Sequence, residues 1–250
     1  MKIKKHLKYF AGLKGLILFI LFFSAPAYTA VLLTTFLSRL FAFQADTFFF
    51  MSVQYSFFIL FFLLLNQSPL HYRHLFSSNL QPVLDIKVYT RSIKIFLTGF
   101  VSVVLLNLSV EFLPLSKKVL EWITAPNQGY TEVFLQIQSG DYIKLTGWFM
   151  MIVFIGPFME EILFRGFLQE SISGFASAVH LQKYKPDIIL TAFIFALFHF
   201  VSLSNILFAF IVGLSLSFEK RKTGKLTIPI LMHCFINLIG LLTGIMFYYN

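Results

Sequence analysis

The sequence carries very little charge for its length. Only 12% of its 250 residues are Asp, Glu, Lys or Arg, whereas a soluble domain typically has about a quarter of such residues. Hydrophobic residues make up 58%, and the mean hydropathy is +0.80. A chain this apolar cannot cover a water-facing surface, which excludes an ordinary soluble domain. We therefore predict an all-α, polytopic membrane helix bundle, since a helix satisfies its backbone hydrogen bonds within the bilayer.

Cysteine is also nearly absent, since Cys234 is the only one. A single thiol excludes an intramolecular disulfide and any metal site built from several cysteines. Cys234 directly follows His233, and adjacent residues of a helix do not face each other. A cysteine–histidine nucleophile pair is therefore not built locally, and we interpret Cys234 as a small packing residue.

Acidic residues are outnumbered, with 11 Asp and Glu against 20 Lys and Arg and a net charge of +9. Basic residues cluster at 2–8 and at 220–225, and each block flanks a hydrophobic run. Such blocks can bind nucleic acid, but the sequence shows no basic face or nucleic-acid motif. We therefore predict no nucleic-acid partner. Instead, we expect both blocks to lie at the cytoplasmic surface of a lipid bilayer.

Seven apolar segments predict about seven transmembrane helices. A cytoplasmic N-terminus is favoured, because most Lys and Arg residues then fall in cytoplasmic loops. The stretch 116–145 leaves room for an eighth element, although we favour an interfacial helix or loop there. The fifth and sixth segments are short, which fits a tight helical hairpin or a broken element deep in the protein. The segments lie at approximately 14–38, 47–65, 95–115, 146–168, 188–203, 205–218 and 227–249.

The fourth segment contains the charged cluster Glu160, Glu161 and Arg165. Ionisable side chains inside a span cost about 3 kcal/mol each, which makes them functional candidates. Glu161 and Arg165 are four residues apart with the acid first, the favourable order for a helical ion pair. Glu160 points about 100° away and has no local partner, which suits a general acid or base better than an interhelical salt bridge. Pro157 is expected to kink this helix or to begin a new segment.

Two further polar clusters lie in the fifth and seventh segments. His199 has no charged neighbour in sequence, and a lone histidine in an apolar helix is more often a core residue than a ligand. His233 and Asn237 are four residues apart and share a helical face, where helix–helix hydrogen bonding is the alternative to function. At about 1.5 Å per residue, the three clusters lie at similar depths. We therefore predict one water-accessible cavity lined by four side chains: Glu160, His199, His233 and Asn237.

Together, the three clusters resemble the motifs of the CPBP family of intramembrane proteases, which includes CAAX prenyl proteases and bacteriocin-processing (Abi) proteins. The family pattern is Glu-Glu-x-x-x-Arg, then Phe-x-x-x-His, then His-x-x-x-Asn. In this chain the matching residues are Glu160, Glu161 and Arg165, then Phe195 and His199, then His233 and Asn237. The resemblance covers roughly residues 145–250. We therefore predict a catalytic helix core at 146–250, preceded by a transmembrane scaffold at 1–145.

The resemblance implies a multi-pass enzyme of a bacterial cell membrane that hydrolyses peptide bonds of a membrane-associated or hydrophobic peptide. It assigns a role to each of six residues: water activation to Glu160, positioning of that water to His199, oxyanion stabilisation to His233 and Asn237, and support to the pair Glu161 and Arg165. The chain carries no signal that identifies the peptide or protein substrate.

Two questions stay open at this point. A glutamate with two histidines can bind a divalent metal such as zinc, whereas Asn237 as an oxyanion donor needs no metal. A metal-dependent and a metal-free, glutamate-dependent mechanism are therefore both compatible with the residues. The alternative function is a non-proteolytic bacteriocin-immunity or interaction protein on the same scaffold. A proton-coupled transporter is a third hypothesis, although no inverted repeat of the spans supports it.

Overall fold

The fold is all-α, as predicted. A computed structural model describes residues 2–41, 46–67, 85–125 and 128–249, and these residues form helices and connecting turns without a strand. A short 3₁₀ turn, Gln182–Tyr184, precedes the seventh helix. The described residues form nine helices: α1 Lys2–Phe41, α2 Thr47–Gln67, α3 Ile86–Glu111, α4 Lys117–Thr124, α5 Gln128–Ser139, α6 Tyr142–Ala178, α7 Pro186–Leu197, α8 Leu203–Thr223 and α9 Thr227–Tyr249.

Six of the helices in the described residues, α1, α2, α3, α6, α8 and α9, are long and apolar enough to cross a membrane. The fifth predicted span, 188–203, corresponds to α7, which has only 12 residues. A helix of that length is about 18 Å long, well short of the roughly 30 Å hydrocarbon core. Length therefore supports six spans, and α7 packs along α8 as a tight helical hairpin, which was one of the two alternatives. The cytoplasmic N-terminus stays a prediction.

Helix α6 runs without a break through Pro157, so no new segment begins at that proline. The helix contains two π-helical stretches, Met151–Ile155 and Glu161–Leu168. In the first stretch, the Gly156 N–H donates to the Met151 carbonyl five residues earlier. In the same register the carbonyl of Ile152 would need an N–H from Pro157, which has none. The wider π turn therefore accommodates the proline and leaves the Ile152 carbonyl for another donor.

Helix α1 packs closely along α6 through glycines. The Ser171 hydroxyl donates to the Gly12 carbonyl at 2.5 Å. A Cβ on Gly15 would lie only 2.8 Å from the Phe167 carbonyl oxygen, so a larger residue would push the two backbones apart. Such small-residue contacts let helices approach closely in a bilayer. This packing holds α6, which carries the first polar cluster, against the N-terminal helices.

The remaining contacts bring α6, α7, α8 and α9 around one centre. Phe195 of α7 and Ala209 of α8 join residues of α1, α2 and α6 in the largest apolar core. A second core links α3 with α8 and α9, and a third links α5 and α6 with α9. Helix α8 ends at Gly224, whose φ of +70° favours glycine and whose N–H donates to the Lys220 carbonyl. The chain can then return directly as α9.

Candidate active site

The predicted ion pair between Glu161 and Arg165 is present and completely buried. Nη1 of Arg165 lies 2.8 Å from Oε1 of Glu161, and neither side chain has any exposed surface. Nδ1 of His233 on α9 lies 2.8 Å from the same carboxylate oxygen. Because a carboxylate oxygen only accepts, Nδ1 carries the proton and Nε2 is turned away from Glu161. Glu161 therefore joins Arg165 to His233 and sets the orientation of the imidazole.

Arg165 makes two further contacts that compensate its buried charge. Its Nη2 donates to the Gly213 carbonyl on α8 at 3.3 Å. Its guanidinium lies 4.3 Å from the centre of the Phe195 ring on α7, a favourable cation–π distance. Arg165 thus contacts α7 and α8 directly, and it reaches α9 through Glu161. Buried charges are tolerated only when they are paired and hydrogen bonded in this way.

Glu160 has a different environment from the neighbouring Glu161. About a third (34%) of its side chain is exposed, and its Oε2 lies 3.8 Å from Nε2 of His233, beyond hydrogen-bond distance. That oxygen has no hydrogen-bond partner among the described residues. Adjacent residues of a helix do not face each other, so the two carboxylates lie on different sides of α6. Of the two glutamates, Glu160 is therefore the one whose carboxylate is not already used in an ion pair with Arg165.

His199 lies in a turn and not inside a helix, which corrects the sequence-based prediction. Helix α7 ends at Leu197, and the His199 N–H donates to the Ala196 carbonyl. The next helix begins after Ser202, whose hydroxyl accepts from the Asn205 N–H. The turn between them consists mostly of apolar residues, so hydropathy did not reveal it. Capping by Ser202 is the physical reason for the break.

The backbone of Phe195 orients His199. Nδ1 of His199 lies 2.9 Å from the Phe195 carbonyl oxygen, so this nitrogen carries the proton. The Phe195 ring also packs against both imidazoles, with ring centres 4.6 Å from His199 and 5.8 Å from His233. In the neutral form, each histidine therefore has Nδ1 as the donor and Nε2 as the free acceptor.

Asn237 joins α9 to α6. Its Nδ2 donates to the Ile152 carbonyl at 2.9 Å, the carbonyl that Pro157 leaves without a backbone donor. The helix–helix hydrogen bond that was the alternative interpretation of Asn237 is thus present. The amide has a second N–H, and Asn237 also lines the cavity described next.

A cavity of about 440 Å³ lies between the helices, a size typical of sites for small ligands. Four of the six predicted site residues line it, namely Glu160, His199, His233 and Asn237. Glu161 and Arg165 are buried behind it. Most of the wall is apolar and includes Phe96, Phe100, Trp148, Phe208, Val212 and Phe247. The structure therefore brings the three polar clusters to one apolar cavity.

One segment of the chain matches a known protein family. Residues 142–239 match the family described as type II CAAX prenyl endopeptidase, Rce1-like. This segment is a CPBP-family domain. Family membership implies an intramembrane protease. The curated proteins and the solved structures that were compared with the chain gave no match.

The CPBP domain spans α6, α7, α8 and most of α9 and therefore contains all six predicted site residues. The resemblance inferred from the three motifs is confirmed for this segment. The catalytic roles that it implies for individual residues stay predictions, as does the division of the chain at residue 146.

Two tyrosines from outside the CPBP domain also line the cavity, and the sequence analysis missed both. Tyr55 lies on α2 and Tyr130 on α5. A Cβ placed on Gly156 would lie 3.6 Å from the Tyr55 hydroxyl oxygen and 3.9 Å from Oε1 of Glu160. The phenol oxygen and the Glu160 carboxylate therefore both border the space above Gly156. The one available signal was that Tyr55 is the single tyrosine of a span rich in Phe and Leu.

The side chains do not form an obvious metal site. Within the described parts of the chain, no three His, Cys, Asp or Glu side chains converge closely enough to hold a metal ion. Glu160, His199 and His233 line the same cavity without forming such a group. A zinc site needs three or four ligands close to one point. The side chains of the described residues therefore do not fit a metal ion.

Proposed function

We propose that this protein is an intramembrane endopeptidase that hydrolyses a peptide bond of a membrane-associated or hydrophobic peptide. One observation carries the proposal: two adjacent glutamates have opposite environments. Glu161 is fully buried and bonded to Arg165 and His233, whereas Glu160 is about one-third exposed, borders the apolar cavity and lies beyond hydrogen-bond distance of His233. A structural ion pair needs only Glu161. The second, free carboxylate suits a general base.

In the first step, Glu160 accepts a proton from a water molecule as the water oxygen attacks the peptide carbonyl carbon. A single water can contact both Glu160 and Nε2 of His233, because these two groups are 3.8 Å apart. His199 presents Nε2 as an acceptor, since its Nδ1 donates to the Phe195 carbonyl. An oriented water of this kind is a far better nucleophile than bulk water.

The second requirement is stabilisation of the tetrahedral oxyanion. His233 is protonated on both nitrogens throughout this scheme, so its Nε2–H donates first to the attacking water and then to the oxyanion, while its Nδ1–H stays on the Glu161 carboxylate. The second N–H of Asn237 is available for the same oxygen, because the first donates to Ile152. Donors that are held in place before the reaction stabilise developing charge strongly. Glu160 then passes its proton to the departing amine nitrogen, which breaks the C–N bond and leaves a carboxylic acid and an amine. Transfer of one proton between these products gives a carboxylate and an ammonium.

The apolar wall determines the class of substrate in this proposal. Aromatic and aliphatic side chains cover most of the cavity, and polar groups are concentrated near Glu160. Such a cavity favours a peptide with apolar groups beside the cleaved bond. We further propose that the Tyr55 hydroxyl, which borders the same cavity as Glu160, donates a hydrogen bond to the bound peptide backbone.

Hydrolysis can be tested with the full chain in proteoliposomes and a library of quenched hydrophobic peptides. We expect new peptide termini by mass spectrometry, with one ¹⁸O atom in the new carboxylate when the water is labelled. Glu160→Gln should lower the rate by about 10²–10⁴-fold. The matched control is Glu111→Gln, which changes an exposed glutamate at the end of α3.

A chelator arm tests the metal-free scheme, and we expect undiminished activity in its presence. Equal cleavage by wild type and Glu160→Gln would contradict the proposal. Cleavage that stops with the chelator and returns with zinc would contradict the metal-free mechanism. A cellular function that survives Glu160→Gln would instead favour the non-proteolytic immunity or interaction role.

A further inference from the structure

A second groove lies on the outside of the helix bundle, separate from the active-site cavity. It has a volume of about 430 Å³, and α8 forms its floor between α3 and α7. The two cavities have no lining residue in common. The groove is lined by Arg91, Lys94 and Ile95 of α3, Ile188 of α7, and Leu214, Ser215, Phe218 and Glu219 of α8.

The groove is apolar along its length and basic at one end. Ile95, Ile188 and Leu214 form the apolar part, and the ring of Phe218 is half-exposed. Arg91 and Lys94 lie in the first turns of α3, while Glu219 lies near the last turn of α8. These helix ends carry basic blocks that the positive-inside rule places at the cytoplasmic surface. The apolar part then extends into the bilayer.

The charge at the basic end is only partly compensated. Arg91 pairs with Glu219, the acid that lines the groove, at 2.5 Å. Lys94 is exposed and makes no ion pair within the described residues. The ammonium of Lys185 lies 6.0 Å from the ring centre of Phe218, and this lysine also has no ion-pair partner there. At least two positive charges therefore remain beside the groove after its acid is neutralised.

Two further lysines extend the same surface. Lys87 lies one helical turn before Arg91, and Lys222 lies one turn after Phe218. Both are exposed, and neither forms an ion pair with a described residue. Two other basic side chains nearby form ion pairs, Lys220 with Glu170 and Arg221 with Asp187. The unpaired charge is thus concentrated on the rim of the groove.

We propose that this groove binds an anionic phospholipid. Its phosphate would contact Lys94 and Lys185 at the cytoplasmic surface, and one acyl chain would lie along the apolar part between α3 and α7. A phospholipid matches both features, because it joins a negative headgroup to a long apolar chain. Basic pockets between helices on the cytoplasmic side are suited to such headgroups. The proposal does not depend on the catalytic activity.

The test uses the full-length protein in neutral detergent and native mass spectrometry, with phosphatidylglycerol and phosphatidylcholine of identical acyl chains as probes. We expect one phosphatidylglycerol to bind at least tenfold more tightly than phosphatidylcholine. Each lysine near an anionic lipid contributes about fivefold in affinity, so Lys94→Gln with Lys185→Gln should weaken phosphatidylglycerol binding roughly 30-fold. The matched control is Lys117→Gln with Lys118→Gln, two exposed lysines of α4, which should change it less than twofold.

A groove-filling variant separates a bound lipid from general surface attraction. Leu214→Trp keeps every charge but occupies the apolar part, and we expect it to weaken phosphatidylglycerol binding at least fivefold. Equal binding of the two lipids, or equal loss in the two double-lysine variants, would overturn the proposal. It would also be overturned if inorganic phosphate at the same concentration displaced the lipid completely, because the site would then recognise a free anion.

Discussion

Helices α2 and α6 are similarly apolar but are used in opposite ways. Only 11% of the apolar window of α2 is buried within the protein, against 56% for α6. Lipid is as apolar as leucine, so hydrophobicity does not distinguish an inner helix from an outer one in a bilayer. The difference lies in the polar side chains, because α6 carries Glu160, Glu161 and Arg165. The helices that carry the site are therefore identified by their buried polar side chains and not by the pattern of their apolar residues.

Removing the buried cation should have the largest effect on stability. Arg165→Leu leaves the Glu161 carboxylate in an apolar interior without its charge partner, which should cost about 3–5 kcal/mol. Arg39→Leu, at an exposed position near the end of α1, should cost less than about 0.5 kcal/mol. Thermal unfolding in detergent measures both variants. Equal unfolding temperatures would show that the buried pair is not what distinguishes α6 from the outer helices.

Asn237 should affect catalysis more than stability. Asn237→Ala removes the hydrogen bond to the Ile152 carbonyl, which should cost about 1 kcal/mol of unfolding free energy. Loss of an oxyanion donor should lower kcat by about 10²–10³-fold. Asn107→Ala is the control, because it removes a different interhelical hydrogen bond, with Ser204 at 2.8 Å. A similar kcat for both variants would leave Asn237 only the helix–helix role.

Much of this site follows from local spacing, and the rest does not. The four-residue intervals predicted that Glu161 pairs with Arg165 and that His233 shares a face with Asn237. The bond between His233 and Glu161 joins residues 72 positions apart, and no local pattern reports it. The turn that contains His199 is also mostly apolar, so the hydropathy did not reveal the end of helix α7. Tyr55 was missed because the sequence around a tyrosine in an apolar helix does not show whether the side chain is buried or which residues lie beside it.

Tyr55 tests whether the outer helices take part in catalysis. Tyr55→Phe removes one hydroxyl beside Glu160, and the loss of one hydrogen bond to the substrate should lower kcat/KM by about 2–10-fold. The unfolding temperature should not change. Tyr28→Phe is the matched control, since that ring is 70% exposed on α1. Identical kcat/KM for wild type and Tyr55→Phe would limit α2 to a scaffold.

The smallest effect is expected on the lipid-facing surface. Leu32 of α1 is 71% exposed, whereas Leu163 of α6 is 6% exposed. Leu32→Ala should change the unfolding free energy by less than about 0.5 kcal/mol, while Leu163→Ala should lower it by about 2–5 kcal/mol. Chemical unfolding in mixed micelles can compare the two. A loss at Leu32 as large as at Leu163 would show that this face of α1 is packed against protein and does not face lipid.

The most direct test compares the two adjacent glutamates in one experiment that records peptide cleavage and unfolding temperature. We predict that Glu160→Gln loses at least 100-fold in cleavage rate and unfolds at the wild-type temperature. Glu161→Gln should unfold at a clearly lower temperature, because Arg165 and His233 lose the carboxylate that joins them. Retained cleavage in Glu160→Gln, or wild-type stability in Glu161→Gln, would contradict the division between a chemical and a structural glutamate.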